Sequence, residues 1–143
     1  DAYQGLFRQH AITKHYEAIA PWHANLQFPL VRKTRLVEDA LFFRQCEVAG
    51  EAHSETHLAV LQTSGAHARY ALSPVTGKKH QLRVHMQALG LPILNDRIYP
   101  QPEVTPPDDY AAPLQLLAKS IAFTDPVTGQ ARRFESQLGL KLD

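Results

Sequence analysis

Thr76-Gly77-Lys78-Lys79-His80-Gln81-Leu82-Arg83-Val84-His85-Met86-Gln87-Ala88-Leu89 is the stretch from which the rest of the chain can be read. Leu82, Met86 and Leu89 recur at helical spacing, Gly90 is placed as a C′ cap and Pro92 follows, so a helix is predicted over 79–89. The start of such a helix leaves backbone N–H groups free near Gly77 to His80, beside Lys78 and Lys79. That describes an anion or phosphate site, and equally a solvated basic first turn. His80 and Arg83 share a face at i,i+3 spacing. An arginine anchored next to a buried stripe requires a carboxylate or phosphate partner.

Upstream, Thr56 to Thr63 is β-branched and apolar, Ser64-Gly65 is a turn pair, and Ala66 to Ser73 alternates with Tyr70 and Leu72 on one parity. These two runs predict an antiparallel hairpin, ended by Pro74-Val75-Thr76-Gly77. Thr13 to Ala20 also alternates and predicts a short strand, with a loop from Pro21 to Pro29. The apolar spacing of Ala2, Tyr3, Leu6 and Phe7 within Asp1 to His10 reads as the end of an amphipathic helix. Downstream, Pro100 to Pro113 holds five of the ten prolines and predicts a long surface loop. Leu114 to Thr124 reads as a strand, Asp125 to Gly129 as a turn and Ala131 to Phe134 as the partner strand. The fold class expected is α+β, with a mixed, mainly antiparallel sheet and flanking helices.

The 143 residues fit one domain with a sizeable core. Hydrophobic residues at 44% and charged residues at 20% exclude a disordered or fibrous chain. No run approaches the roughly 18–20 apolar residues of a membrane-spanning helix, so no membrane partner is expected. A net charge of +1 confines any basic patch to a local one. The one methionine is Met86 and the first residue is Asp1, which suggests a processed chain or a piece of a longer one.

Other chemical constellations are weaker. His53 and His57 flank Glu55, but Ser54 stands where a zinc-protease pattern needs glutamate, so no metal is expected. Cys46 is the lone cysteine; Phe42 and Phe43 nearby suggest a buried thiol. Val31 to Leu36 carries Arg32, Lys33 and Arg35, which read either as a solvated loop or edge strand, or as phosphate contacts.

Gly77 to Met86, followed by Leu89-Gly90-Leu91-Pro92-Ile93-Leu94-Asn95-Asp96-Arg97-Ile98-Tyr99, closely resembles the third motif of the RluA-type RNA pseudouridine synthases. That motif runs G-R-x-H-Q-I/L-R-V-H and then L-G-x-P-I-x-G-D-x-x-Y. Two further blocks agree in order: Lys14-His15-Tyr16-Glu17-Ala18 resembles K-x-Y-x-A, and Leu114-Gln115-Leu116-Leu117-Ala118 resembles L-x-L-H-A. Lys78 stands for the usual arginine, Asn95 for glycine and Leu117 for histidine. The family's H-R-L-D-x-x-T-S-G signature, which carries the catalytic aspartate, occurs nowhere in the 143 residues. The resemblance therefore implies the C-terminal part of a single catalytic domain over residues 1–143, entered after its nucleophile. An edge or apolar face should be exposed where the missing part would pack.

What the resemblance implies is a cofactor-free isomerase that converts a specific uridine in rRNA or tRNA to pseudouridine after flipping it from its helix. Tyr16 matches the active-site tyrosine that stacks on the uracil; a half-buried strand tyrosine is the plainer reading. Arg83 matches the arginine that keeps the catalytic carboxylate ionised, and within this chain it would lack that partner. Lys78, Lys79, His80 and Gln81 are expected to contact RNA phosphates or shape the helix start. Leu82 would wall the uracil pocket or simply pack in the core, and Arg32, Lys33 and Arg35 would extend a basic track along the RNA. The chain by itself is expected to be inactive, and the location implied is cytoplasmic. The alternatives are a non-catalytic RNA-binding module on the same scaffold and, more remotely, a histidine-dependent metal hydrolase.

Overall fold

The structure is a computed structural model that describes residues 12–39, 44–99, 113–125 and 127–140. Seven strands form one sheet: β1 (Ile12–Pro21), β2 (Leu30–Glu38), β3 (Gln45–Val48), β4 (Ser54–Ser64), β5 (His67–Pro74), β6 (Leu116–Thr124) and β7 (Ala131–Glu135). Helix α1 (Gln81–Ala88) follows β5. The sheet order is β3-β2-β4-β5-β1-β6-β7, and every pairing is antiparallel. The mainly antiparallel sheet is as expected. Flanking helices are not: α1 is the only helix among the described residues. The helix expected at Asp1 to His10 and the proline-rich stretch 100–112 lie outside the described residues.

The central hairpin follows from its sequence. Gly65 takes φ +60°, which costs glycine little, and returns the chain so that Ser64 pairs with His67. Period-two alternation then sends Leu58 and Val60 of β4, Ala68, Tyr70 and Leu72 of β5, and Tyr16, Ala18 and Ala20 of β1 to one face. Leu82 and Met86 of α1 cover that face, with Leu91 and Ile93 from the loop beyond. Tyr70, wholly buried, donates its hydroxyl to the Pro21 carbonyl at 2.5 Å, and burial pushes its pKa up to about 12.

Helix α1 stops as Gly90 predicts. Gly90 adopts φ +79°, its N–H reaches the Gln87 carbonyl, and the Leu91 N–H reaches back to Met86. This is a Schellman ending, sealed by the burial of Met86 and Leu91 in one core. The start falls two residues later than predicted, at Gln81, because His80 sits in the left-handed region at φ 55°, ψ 19° and cannot belong to the helix. At the opposite edge β7 is exposed at all five positions, with Phe134 at 58% stacked on Phe123.

Candidate active site

A cavity of about 260 Å³ opens between α1 and the end of β1. The core fills the middle of the sheet face, and the cavity lies where β1, the β5–α1 turn and β6 meet. Lys14 and Tyr16, two apart on β1, point to the same side and line it. The turn contributes Thr76, Gly77 and Lys78, the helix start His80 to Arg83, and β6 Leu116. Tyr16 is half-buried against the core while facing the cavity. Leu82 is 8% exposed and belongs both to the core and to the cavity wall.

Arg83 is not without a partner. Its Nε donates to Asp96 Oδ2 at 3.0 Å and its Nη2 to Oδ1 at 2.7 Å. The chain reverses at Gly90 and returns along the helix, which brings Asp96 opposite Arg83. Asp96 Oδ1 also accepts the backbone N–H groups of Ile98 and Tyr99, at 2.9 and 3.0 Å. Burial alone would raise the Asp96 carboxyl, but the Arg83 hydrogen bonds and the two backbone donors outweigh it and hold the group below its usual value. The Tyr99 ring lies against the Arg83 guanidinium at 5.4 Å, with Arg44 at 5.3 Å. Arg83 is thus clamped by carboxylate and ring, and its remaining N–H donors are what it can offer the cavity it lines.

Gln81 is spent on structure rather than exposed for RNA. It is 3% exposed, its Oε1 accepts from the Thr76 hydroxyl and Lys78 N–H, and its Nε2 donates to the Glu55 carbonyl and Thr56. It anchors the turn before α1 onto β4, which shapes the helix start. His80 is tied through Nδ1 to the Tyr99 hydroxyl at 2.9 Å. Burial, then Arg83 and Lys79, lower its pKa, with Asp96 opposing, which favours the neutral ring. Burial likewise lowers Lys14.

Lys78 lines the cavity, whereas Lys79 is exposed beside it and does not. The basic run on β2 is not gathered there either. Arg32 forms a bidentate pair with Glu47, Lys33 lies 3.8 Å from Glu55, and the Arg35 stem packs where a side chain on Gly50 would sit. Strand alternation puts Arg32 on the helix side and Lys33 and Arg35 on the other, so the three do not form one track. His57 pairs with Glu55, and no cluster of three metal-ligating side chains occurs among the described residues. Cys46 is half-buried on β3, not enclosed as expected, while Phe42 and Phe43 lie outside the described residues. Sequence reasoning overlooked Lys14, Thr76 and Leu116 as cavity residues; for Lys14 the signal was its same-parity spacing from Tyr16.

The antiparallel sheet thus presents Lys14 and Tyr16 across the cavity from Lys78 of the turn and a clamped arginine. The family model for RNA pseudouridylate synthase matches residues 1–88. A dual-specificity RNA pseudouridine synthase RluA from Haemophilus influenzae is 33% identical over 135 residues, covering 92% of this chain and 59% of that protein. Its namesake from Escherichia coli K12 is 38% identical over 91 residues, 64% of this chain and 40% of that protein. Among solved structures, human RNA pseudouridylate synthase domain containing 4 superposes with a TM-score of 0.70 at 25% identity, over 95% of this chain and 61% of that one. Human RNA pseudouridylate synthase domain containing 1 shares the fold, with a TM-score of 0.75 at 23% identity over 94% and 58% of the two chains. The chain belongs to the RluA-type RNA pseudouridine synthase family. It spans 59% and 40% of the length of these two curated relatives.

Proposed function

We propose that the protein isomerises a specific uridine of rRNA or tRNA to pseudouridine in the cytoplasm, taking the flipped base into the cavity between β1 and α1. The observation that carries this is the shared cavity of Tyr16 on β1 and Arg83 on α1, two residues that the family motifs single out. Its volume is just under the roughly 300–1,000 Å³ of pockets for drug-sized ligands, a scale that suits one nucleobase. Tyr16 stacks on the uracil. Arg83, held by Asp96, turns its remaining donors to the carboxylate that attacks the nucleotide and keeps it ionised. Lys14 and Lys78 meet the RNA phosphates at the mouth. The sequence contains no H-R-L-D, so the 143 residues alone do not turn over.

The same absence favours a second reading, an RNA-binding module on this scaffold without catalysis. Incubating the full-length encoded protein, and separately this chain, with uridine-containing rRNA and tRNA and mapping pseudouridine decides between them. Pseudouridine from the full-length protein and none from the chain supports the enzyme reading. RNA binding with no pseudouridine from either supports the binder, and turnover by the isolated chain overturns the assignment of the missing nucleophile.

A further inference from the structure

We infer that Tyr99 is a positioning residue that fixes His80 as its Nε2–H tautomer, giving the cavity a neutral hydrogen-bond donor matched to a carbonyl oxygen of the bound base. The identity of that ligand rests on the proposed function; the tautomer does not.

Tyr99 is 1% exposed, so its hydroxyl has the protein for company and not water. The Gln45 backbone N–H donates to the phenolic oxygen at 2.7 Å, and His80 Nδ1 lies 2.9 Å away. A phenol carries one hydrogen, and a neutral imidazole one N–H. Were that N–H at Nδ1, the Tyr99 oxygen would accept twice and its own hydrogen would be buried without an acceptor among the described residues. The hydroxyl therefore donates to Nδ1, and the ring proton resides on Nε2. With Nδ1 tied on the Tyr99 side, Nε2–H is the polar group that the ring has left for the cavity it lines.

The backbone supports the same reading. His80 is a non-glycine residue at φ 55°, a sparsely populated conformation that persists where the surroundings enforce it. Tyr99 meets the imidazole edge-on at 85° and 5.7 Å, which with the hydrogen bond fixes the ring's direction. The charged groups around it are Arg83 and Lys79, which disfavour protonation, Asp96, which favours it, and Arg44, which lies over the Tyr99 ring. A neutral donor suits an uncharged carbonyl oxygen such as those of uracil, whereas a phosphate would favour the protonated ring.

Long-range proton–nitrogen spectra of the ¹⁵N-labelled protein read the tautomer directly. His80 should show a bare Nδ1 and a protonated Nε2. Tyr99→Phe keeps the ring and removes only the hydroxyl; it should mix the tautomers and raise the titration midpoint of His80. A protonated Nδ1 in the wild type, or a Tyr99→Phe spectrum identical to it, overturns the inference. With RNA, His80→Ala in the full-length protein should raise KM about tenfold, the scale of one lost hydrogen bond. The salt dependence of binding should not change. A log–log salt slope shallower by about 1 would place the ring on a phosphate and overturn the carbonyl assignment. If the wild type forms no pseudouridine, the functional reading fails alone, and the spectra still decide the role of Tyr99.

Discussion

Helix α1 and its first flank carry two histidines five residues apart, with opposite fates. His80 stands half-buried at the cavity with one nitrogen tied to Tyr99. His85 is wholly enclosed, its Nδ1 against Thr56 at 2.8 Å and its Nε2 against Thr34 and Ser54 at 3.0 and 3.1 Å. Three hydroxyls from β2 and β4 satisfy the second ring, so it pins the helix to the sheet and has nothing left for a ligand. The difference separates a closed side of the helix from an open one. Polar groups on the His85 side are closed in a loop of mutual hydrogen bonds, while those on the Arg83 side are clamped yet retain donors. Gln81 joins the two sides, linking the turn before the helix to Thr56.

The largest break in this contrast comes from Asp96→Ala. Arg83 and Asp96 are 17% and 1% exposed in their side chains, and removing one partner of such a pair costs about 3–5 kcal/mol. Urea unfolding should show that loss, with the lower end expected because the arginine retains some solvent. Acid should come next. Burial first, and Arg32 after it, hold His85 down to about 4, with Glu47 opposing. Its folded value is below the unfolded one, so the unfolded chain takes up the proton first. The stability this group contributes is complete above about pH 6.5 and falls by roughly 3 kcal/mol as the pH drops towards 4. A urea midpoint measured from pH 7 to 4 should slope accordingly in the wild type and flatten in His85→Gln. Gln81→Ala leaves the Glu55 carbonyl and Thr56 short of a donor and should cost about 1–3 kcal/mol. Lys33→Ala, which breaks only an exposed pair with Glu55, should change stability by about 0.5 kcal/mol or less.

The hairpin around Ser64-Gly65, the β1 alternation and the Gly90 stop were legible because each is local: a turn residue, a period of two, a left-handed cap. Leu116–Thr124 and Ala131–Glu135 were legible for the same reason, with Asp125 folding the turn between them through its backbone and carboxylate contacts with Val127, Thr128 and Gly129. What escaped was non-local. β3 is four residues long, too short for an alternation to register, and exists because Arg35 to Glu38 give it a partner. Motif spacing marked Tyr16 and Arg83, but nothing in periodicity announces that Asp96 returns to Arg83 or that Gln81 turns inward. The basic run on β2 misled because charge composition does not reveal that Arg32 finds Glu47 across strands.

Arg83→Lys in the full-length protein tests the central claim most directly, with pseudouridine formation and RNA affinity measured side by side. Lysine keeps the charge and loses the two-pronged grip on Asp96, so an arginine that orients the reacting carboxylate predicts turnover down about 100-fold, the scale of a misplaced catalytic group, with RNA affinity within about twofold. Equal losses in turnover and affinity would contradict the account and make Arg83 a contact to the RNA backbone.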